Sequence, residues 1–282
     1  MTAAEGFPAA ISQPQYSRLG IAIPIALLSI VLAACFVGPI VFPLPEPTGG
    51  SILDAGQAPF SPGHVLGTDL NGNDVLSRLL YGGRSSLTIA VSANLIGLLF
   101  GGLLGAVSGY RGGWVDSILM RVLDGFIAFP SLVLVLAIAQ GLDSSSLGTM
   151  LALTGFTIPA FARVARGATL RIREQSFMLY ARLSHTSSWR VLMLHIGPNV
   201  LPQLLTFLLL GIGITIIIEG ALSYLGLGVP PPAPSWGNMI HHSQQALSAN
   251  PSLALLPSAF LFVTVLSCNR LSDALRARWS TQ

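Results

Sequence analysis

Ser85-Ser-Leu-Thr-Ile-Ala-Val-Ser-Ala-Asn-Leu-Ile-Gly-Leu-Leu-Phe-Gly-Gly-Leu-Leu-Gly-Ala-Val-Ser-Gly109 is an uncharged run long enough to cross a bilayer. A helix needs about 20 apolar residues to traverse a hydrocarbon core of roughly 30 Å. Within the run, Ala93, Gly97, Gly101, Gly105 and Gly109 recur at every fourth position. That spacing puts them on one helical face, where the missing side chains let a second helix approach closely. The stretch therefore predicts one member of a packed membrane bundle. It does not by itself mark a substrate path.

Five further apolar runs lie outward from it, at 19–42, 118–140, 146–163, 200–222 and 253–270. The run at 146–163 is the weakest, diluted by Thr149, Thr154, Thr157 and Pro159. Threonine hydroxyls can bond back to helix carbonyls, so such a span is tolerable. The last run is short and contains Pro257. Composition agrees with a lipid-facing surface: hydrophobic residues make up 52%, charged residues 9%, and mean hydropathy is +0.70. Soluble domains carry about 25% charged residues. A net charge of +3 gives no footprint for nucleic acid. The run after Arg18 continues uncharged to Phe42, which is too long for a signal-peptide core and reads as a retained span. Cys35 and Cys268 both sit inside apolar runs and read as small hydrophobes.

All fourteen basic residues are arginines, and their placement orients the chain. Arg163, Arg166, Arg171, Arg173, Arg182 and Arg190 lie between the fourth and fifth spans. Arg270, Arg276 and Arg278 follow the sixth, Arg111 follows the second, and Arg18 precedes the first. With six spans all of these fall on one side, which the positive-inside rule makes cytoplasmic together with both termini. Arg78 and Arg84, before the second span, go against the pattern. The loops expected outside, 43–66 and 223–252, are rich in proline and predict extended chain rather than a domain.

Among polar residues, Glu219 stands near the end of the fifth span. It is either a gate or pathway group, or an interfacial acid satisfied by neighbouring backbone. Arg121 and Asp124 are three apart and predict an ion pair at a helix end. The segment 166–199 is arginine-rich and carries Phe177, Met178, Leu179, Tyr180 and Trp189, which suits a surface helix or a partner's groove. His241 and His242 are adjacent, with no third ligand at a metal spacing, so no metal site is expected.

Several longer motifs are similar to those of the permeases of binding-protein-dependent ABC importers, specifically the C-type subunit of dipeptide, oligopeptide and nickel systems. His64-Val-Leu-Gly-Thr-Asp69 through Asp74-Val-Leu-Ser-Arg-Leu79 resembles the family's GTDxxGRDVLSRL signature. Tyr110-Arg-Gly-Gly-Trp-Val-Asp116 with Met120-Arg121 and Asp124, then Phe129-Pro130, resemble its second turn and third core. Leu222-Ser-Tyr-Leu-Gly-Leu-Gly-Val229 with Pro234-Ser-Trp-Gly237 resembles LSFLGLGV and PSWG. The match runs from about Leu66 to Leu275.

The resemblance implies an all-α integral membrane protein of about six helices with the type I importer (MetI-like) permease fold. It divides the chain into a cytoplasmic N-terminus (1–18), a first span (19–42), an external loop (43–83), a permease domain (84–273) with a coupling loop (166–199), and a cytoplasmic tail (274–282). It implies a permease of the cell inner membrane that takes peptides from an external substrate-binding protein, with nickel, glutathione or haem as alternative cargoes. It implies docking of an ATP-binding subunit through the EAA motif, at Glu174, Phe177, Leu179, Tyr180, Ala181, Arg182, His185 and Trp189. Leu179-Tyr180-Ala181 stands where the family has Glu-Ala-Ala, His185 where it has Gly, and Asn73 where it has Arg. Glu219, Tyr224 and Trp236 are the gate or pathway candidates. A second, homologous permease is the expected partner, alongside membrane lipid. ATP and magnesium are expected on the partner subunits only, because the chain has no GxxxxGK[ST] loop and is not expected to be an enzyme. The rival from another class is an ion-coupled secondary transporter, which would need several deep carboxylates and inverted repeats; one deep acid and no visible repeat speak against it.

Overall fold

The computed structural model describes residues 18–142, 145–184 and 186–280. In chain order its helices are α1 (Arg18–Phe36), α2 (Gly38–Val41), α3 (Val75–Ile96), α4 (Gly102–Arg111), α5 (Gly113–Ile127), α6 (Ser131–Gly141), α7 (Ser146–Arg173), α8 (Ser176–Leu183), α9 (Ser188–Arg190), α10 (Gly197–Tyr224), α11 (Trp236–His242) and α12 (Ser252–Ser280). Among the described residues, five helices are long and apolar enough to span a membrane, or six if α5 and α6 count as one bent span. Two of the five are compound. The α3 helix runs into α4 through a widened turn at Gly97–Gly101, and α9 runs into α10 through another at Val191–Ile196.

The glycine stripe seats α3 and α4 on α7. A Cβ on Gly101 would stand 2.3 Å from the Ile158 carbonyl oxygen, and one on Gly105 would stand 2.1 Å from that of Ala162. The threonines that dilute the fourth run face protein, not lipid: Thr149, Thr154 and Thr157 are buried. Thr157 Oγ1 donates to the Ala93 carbonyl at 2.9 Å, tying α7 to α3. The polar dilution therefore marks the central helix of the bundle.

Three features differ from the sequence expectation. First, α3 starts at Val75, so the expected loop 43–83 ends at residue 74. Asp74 caps the helix by accepting the Ser77 amide at 2.7 Å. Arg78, expected in the external loop before the second span, is buried inside the helix; it pairs with Asp69 at 3.3 Å and donates to the Pro47 carbonyl. Secondly, the run 118–140 is not one rod. It breaks between α5 and α6 with an 89° bend. Pro130 has extended ψ and no amide hydrogen, so it can neither continue α5 nor close a bond to the preceding turn. Thirdly, Asp124 pairs with Arg163 of α7 at 2.7 Å rather than with Arg121. Both partners are more than half exposed, so the pair contributes at most about 1 kcal/mol.

The segment 43–74 is ordered although it is short of helix. Asp69 accepts the amides of Asn71 and Asn73, and Asn73 in turn accepts the Gly50 amide at 3.1 Å. Gly72 lies at φ +77°, and a Cβ there would overlap the Ser51 carbonyl oxygen at 1.8 Å. Only glycine fits that close approach. The long helices alternate in direction, which puts the start of α1 and the end of α12 at the same end of the bundle as α8. The opposite end carries the 43–74 segment and α11.

Candidate coupling and gating sites

At the α8 end, α7 closes at Arg173, which donates to the Gly109 carbonyl, and Glu174 follows as the exposed cap residue. Asp116 of α5 accepts two bonds from Arg166, at 2.6 and 2.7 Å, and a third from the Ser108 hydroxyl. Such a bidentate pair fixes geometry as well as charge. It braces α5 against α7 where α8 departs.

The α8 helix is too short to hold its shape alone, since isolated helices under about 12 residues are marginal in water. Its stability must come from packing. Met178 and Ala181, three apart and so on one face, are buried in a core formed with Ala165, Ala168, Val191 and Ile196. The opposite face is apolar yet uncovered: Leu179, Tyr180 and Leu183 are 58%, 69% and 66% exposed, and Phe177 is partly so. Trp189 in α9 adds a 60% exposed indole. Of the three positions aligned with Glu-Ala-Ala, the matching Ala181 faces inward and the departing Leu179 and Tyr180 face outward. The departures alter the presented surface and leave the seat of the helix intact. Arg182 lies within α8, while the candidate His185 falls outside the described residues.

At the other end, Glu219 is completely buried in α10. Its Oε1 accepts the Ser223 hydroxyl at 2.7 Å, Ser86 and Ser235 stand beside the carboxyl, and Oε2 has no partner. These groups come from α3, α10 and the cap of α11, so Glu219 sits where three elements meet. Trp236 is also fully buried; its indole donates to the Leu79 carbonyl at 3.0 Å and its amide to Ser86 Oγ at 3.3 Å. Ser235 and Asn238 close a reciprocal cap over the first turn of α11. Gly237 packs against the Gly220 backbone with no room for a Cβ. Tyr224 is 40% exposed and meets the His241 ring edge-on at 5.4 Å. Partial burial, helped by His241 and Arg78, holds His242 below the usual imidazole range. Among the described residues no group of His, Cys, Asp or Glu is arranged to hold a metal.

Of the three gate candidates, Glu219 and Trp236 thus share one buried junction, and Tyr224 lies at its rim. Sequence reasoning missed Ser86 and Ser235, because no spacing connects residues so far apart in the chain. It also missed that Met178 is the anchor of α8; its place one residue after Phe177 gives no sign of which faces the core.

The sequence model of the family described as "Binding-protein-dependent transport system inner membrane component" matches residues 97–281. The chain is 38% identical over 216 residues to the glutathione transport system permease protein GsiD of Pectobacterium atrosepticum, covering 77% of this chain and 72% of that protein. It is 33% identical over 280 residues to the dipeptide transport system permease protein DppC of Alkalihalophilus pseudofirmus, covering 98% and 90%. Among solved structures, a chain of the inward-facing MetNI methionine ABC transporter matches with a TM-score of 0.56 at 14% identity, covering 70% of this chain and 95% of that one. At that identity the likeness is one of fold.

Proposed function

Because the chain belongs to the binding-protein-dependent transport system inner membrane components, we propose that it is the permease subunit of an ATP-driven importer whose cargo is a short peptide of the dipeptide, oligopeptide or glutathione class. Membership of the family and the type I importer fold stand on the match over residues 97–281 and on the helical architecture. The peptide class is supported by relatives named for glutathione and dipeptide transport, one of which aligns along nearly the whole chain.

The observation that carries the mechanism is the two-faced α8. Its inner face is built into the bundle, and its outer face leaves Leu179, Tyr180 and Leu183 in the open. A helix held this way can transmit a push, because its buried side moves with α7 and α10 while its open side is free to enter a groove on another protein. In this reading the α8 end is cytoplasmic and receives an ATP-binding subunit. The α11 end faces the substrate-binding protein, and a second homologous permease completes the path. ATP and magnesium stay on the partner subunits. Glu219, Tyr224 and Trp236 sit where closure of the outer mouth would be set.

The test is expression of the complete transporter in an amino-acid auxotroph fed the amino acid as a peptide, with the chain tagged for purification from membranes. We expect an ATPase and a second permease to accompany the chain, and a dipeptide or glutathione to be taken up only when ATP is available. Uptake by the chain alone, driven by a proton gradient, would replace this reading with ion-coupled transport.

A further inference from the structure

At the α11 end, Arg84 is a cation that neither the fold nor the proposed coupling explains. Its companion Arg78 is buried and paired with Asp69. Arg84 is exposed and makes no ion pair or hydrogen bond among the described residues; its guanidinium carbon stands 5.9 Å from the centroid of the Phe36 ring. Near a bilayer, an arginine without an anionic partner is costly unless water or a ligand reaches it. Here something can reach it. Arg84 borders a cavity of about 480 Å³ at the α11 end, whose wall includes Tyr81, Ser85 and Thr88 from the same face of α3, Thr48 from the capping segment and Ser146 from the start of α7. The volume is within the range of small-ligand sites, about 300–1,000 Å³. The lining holds one fixed positive charge, a phenol and four hydroxyls, and no carboxylate.

Position adds to composition. The compound helix from Val75 to Arg111 has 37 residues. At about 1.5 Å per residue it is roughly 55 Å long, well beyond a hydrocarbon core of about 30 Å. The helix is therefore longer than the hydrocarbon is thick, and Arg84 lies in its first third, beside Pro47 and Thr48 of the 43–74 segment. Pro234, two residues before the buried Trp236, closes the same cavity from the junction around Glu219.

We propose that this cavity is a carboxylate-recognition site at the outer mouth, where Arg84 receives the C-terminal carboxylate of the arriving peptide and the surrounding hydroxyls hold its backbone. The proposal rests on the peptide-importer reading. A guanidinium offers two parallel donors that match a carboxylate, and the pair is stronger in a partly desolvated wall than in water. The same chemistry would suit a lipid phosphate, and the test separates the two.

The complete transporter, reconstituted in proteoliposomes with saturating loaded binding protein, is assayed for initial uptake of a dipeptide with a free C-terminus and of the same dipeptide as its C-terminal amide. We expect wild type to favour the free acid. Arg84→Gln should lower free-acid uptake about tenfold or more, leave amide uptake within about twofold, and so erase the preference; Arg84→Lys should restore part of it. Equal loss of both substrates, as a lipid anchor or a structural role would give, overturns the proposal, and so does an unchanged preference in Arg84→Gln. If wild type moves neither peptide, the peptide-importer reading itself fails and takes this site with it.

Discussion

Gly105 shows how a single missing side chain sets the bundle. Its Cβ would lie 2.1 Å from the Ala162 carbonyl oxygen and 2.8 Å from the Ala165 Cβ, and both neighbours belong to a central helix that cannot yield. Gly105→Ala is therefore expected to cost about 1–3 kcal/mol through overpacking, read as a lower Tm in detergent. Gly125, with open space around its Cβ position, should accept alanine with no loss. Glu219 makes a different residue-scale case. Its Oε1 accepts the buried Ser223 hydroxyl, and Ser86 and Ser235 stand beside the carboxyl. Glu219→Gln keeps an acceptor of the same shape, while Glu219→Leu strands the buried Ser223 hydroxyl, at about 1 kcal/mol or more when unsatisfied. The glutamine variant should fold and assemble as wild type does. The leucine variant should yield less protein and let proteases reach the 225–235 segment. Equal behaviour of the two would mean that Glu219 does not hold the junction.

At the scale of elements, α8 separates into a seat and a face, and substitutions should separate the same way. Met178→Asp puts a charge into the core and should reduce folding and partner assembly together. Leu179→Asp with Tyr180→Asp changes only exposed positions. The double variant should reach the membrane at normal levels and keep its Tm, yet lose the co-purifying ATPase. An ATPase retained by that variant would move the docking surface elsewhere. The elements themselves were legible wherever lipid or helix packing dictated the residues: the glycine stripe predicted a close helix neighbour, and that neighbour is α7. Where burial replaced lipid, hydropathy misled. The threonines of α7 look like weakness in a span until their partners are known, and Arg78 goes against the charge pattern of the loops until Asp69 is found beside it. The bend at Pro130 was visible as a proline but not as a corner, because a run of apolar residues reads alike on either side of it. For α8, the resemblance located the segment, but only tertiary packing reveals which residues face out.

Across the whole molecule, the arginine distribution and the alternation of the long helices lead to the same topology. Arg111, Arg171, Arg173 and Arg190 lie at the α8 end, while the 43–74 segment and α11 occupy the other. A charge bias of this kind fixes orientation through the loops nearest the spans. The proposed function puts α8 in the cytoplasm, within reach of an ATP-binding subunit, and the Arg84 cavity outside. Two positions report directly on this. Leu53 is 96% exposed in the capping segment and Trp189 is 60% exposed beside α8, whereas the native Cys35 and Cys268 are at most 2% exposed and give little background. A membrane-impermeant maleimide applied to intact spheroplasts should label Leu53→Cys within minutes and leave Trp189→Cys untouched. Permeabilised membranes should label both. Labelling of Trp189→Cys from outside would invert the topology, and with it both the docking role of α8 and the placement of Arg84 at the point of substrate entry.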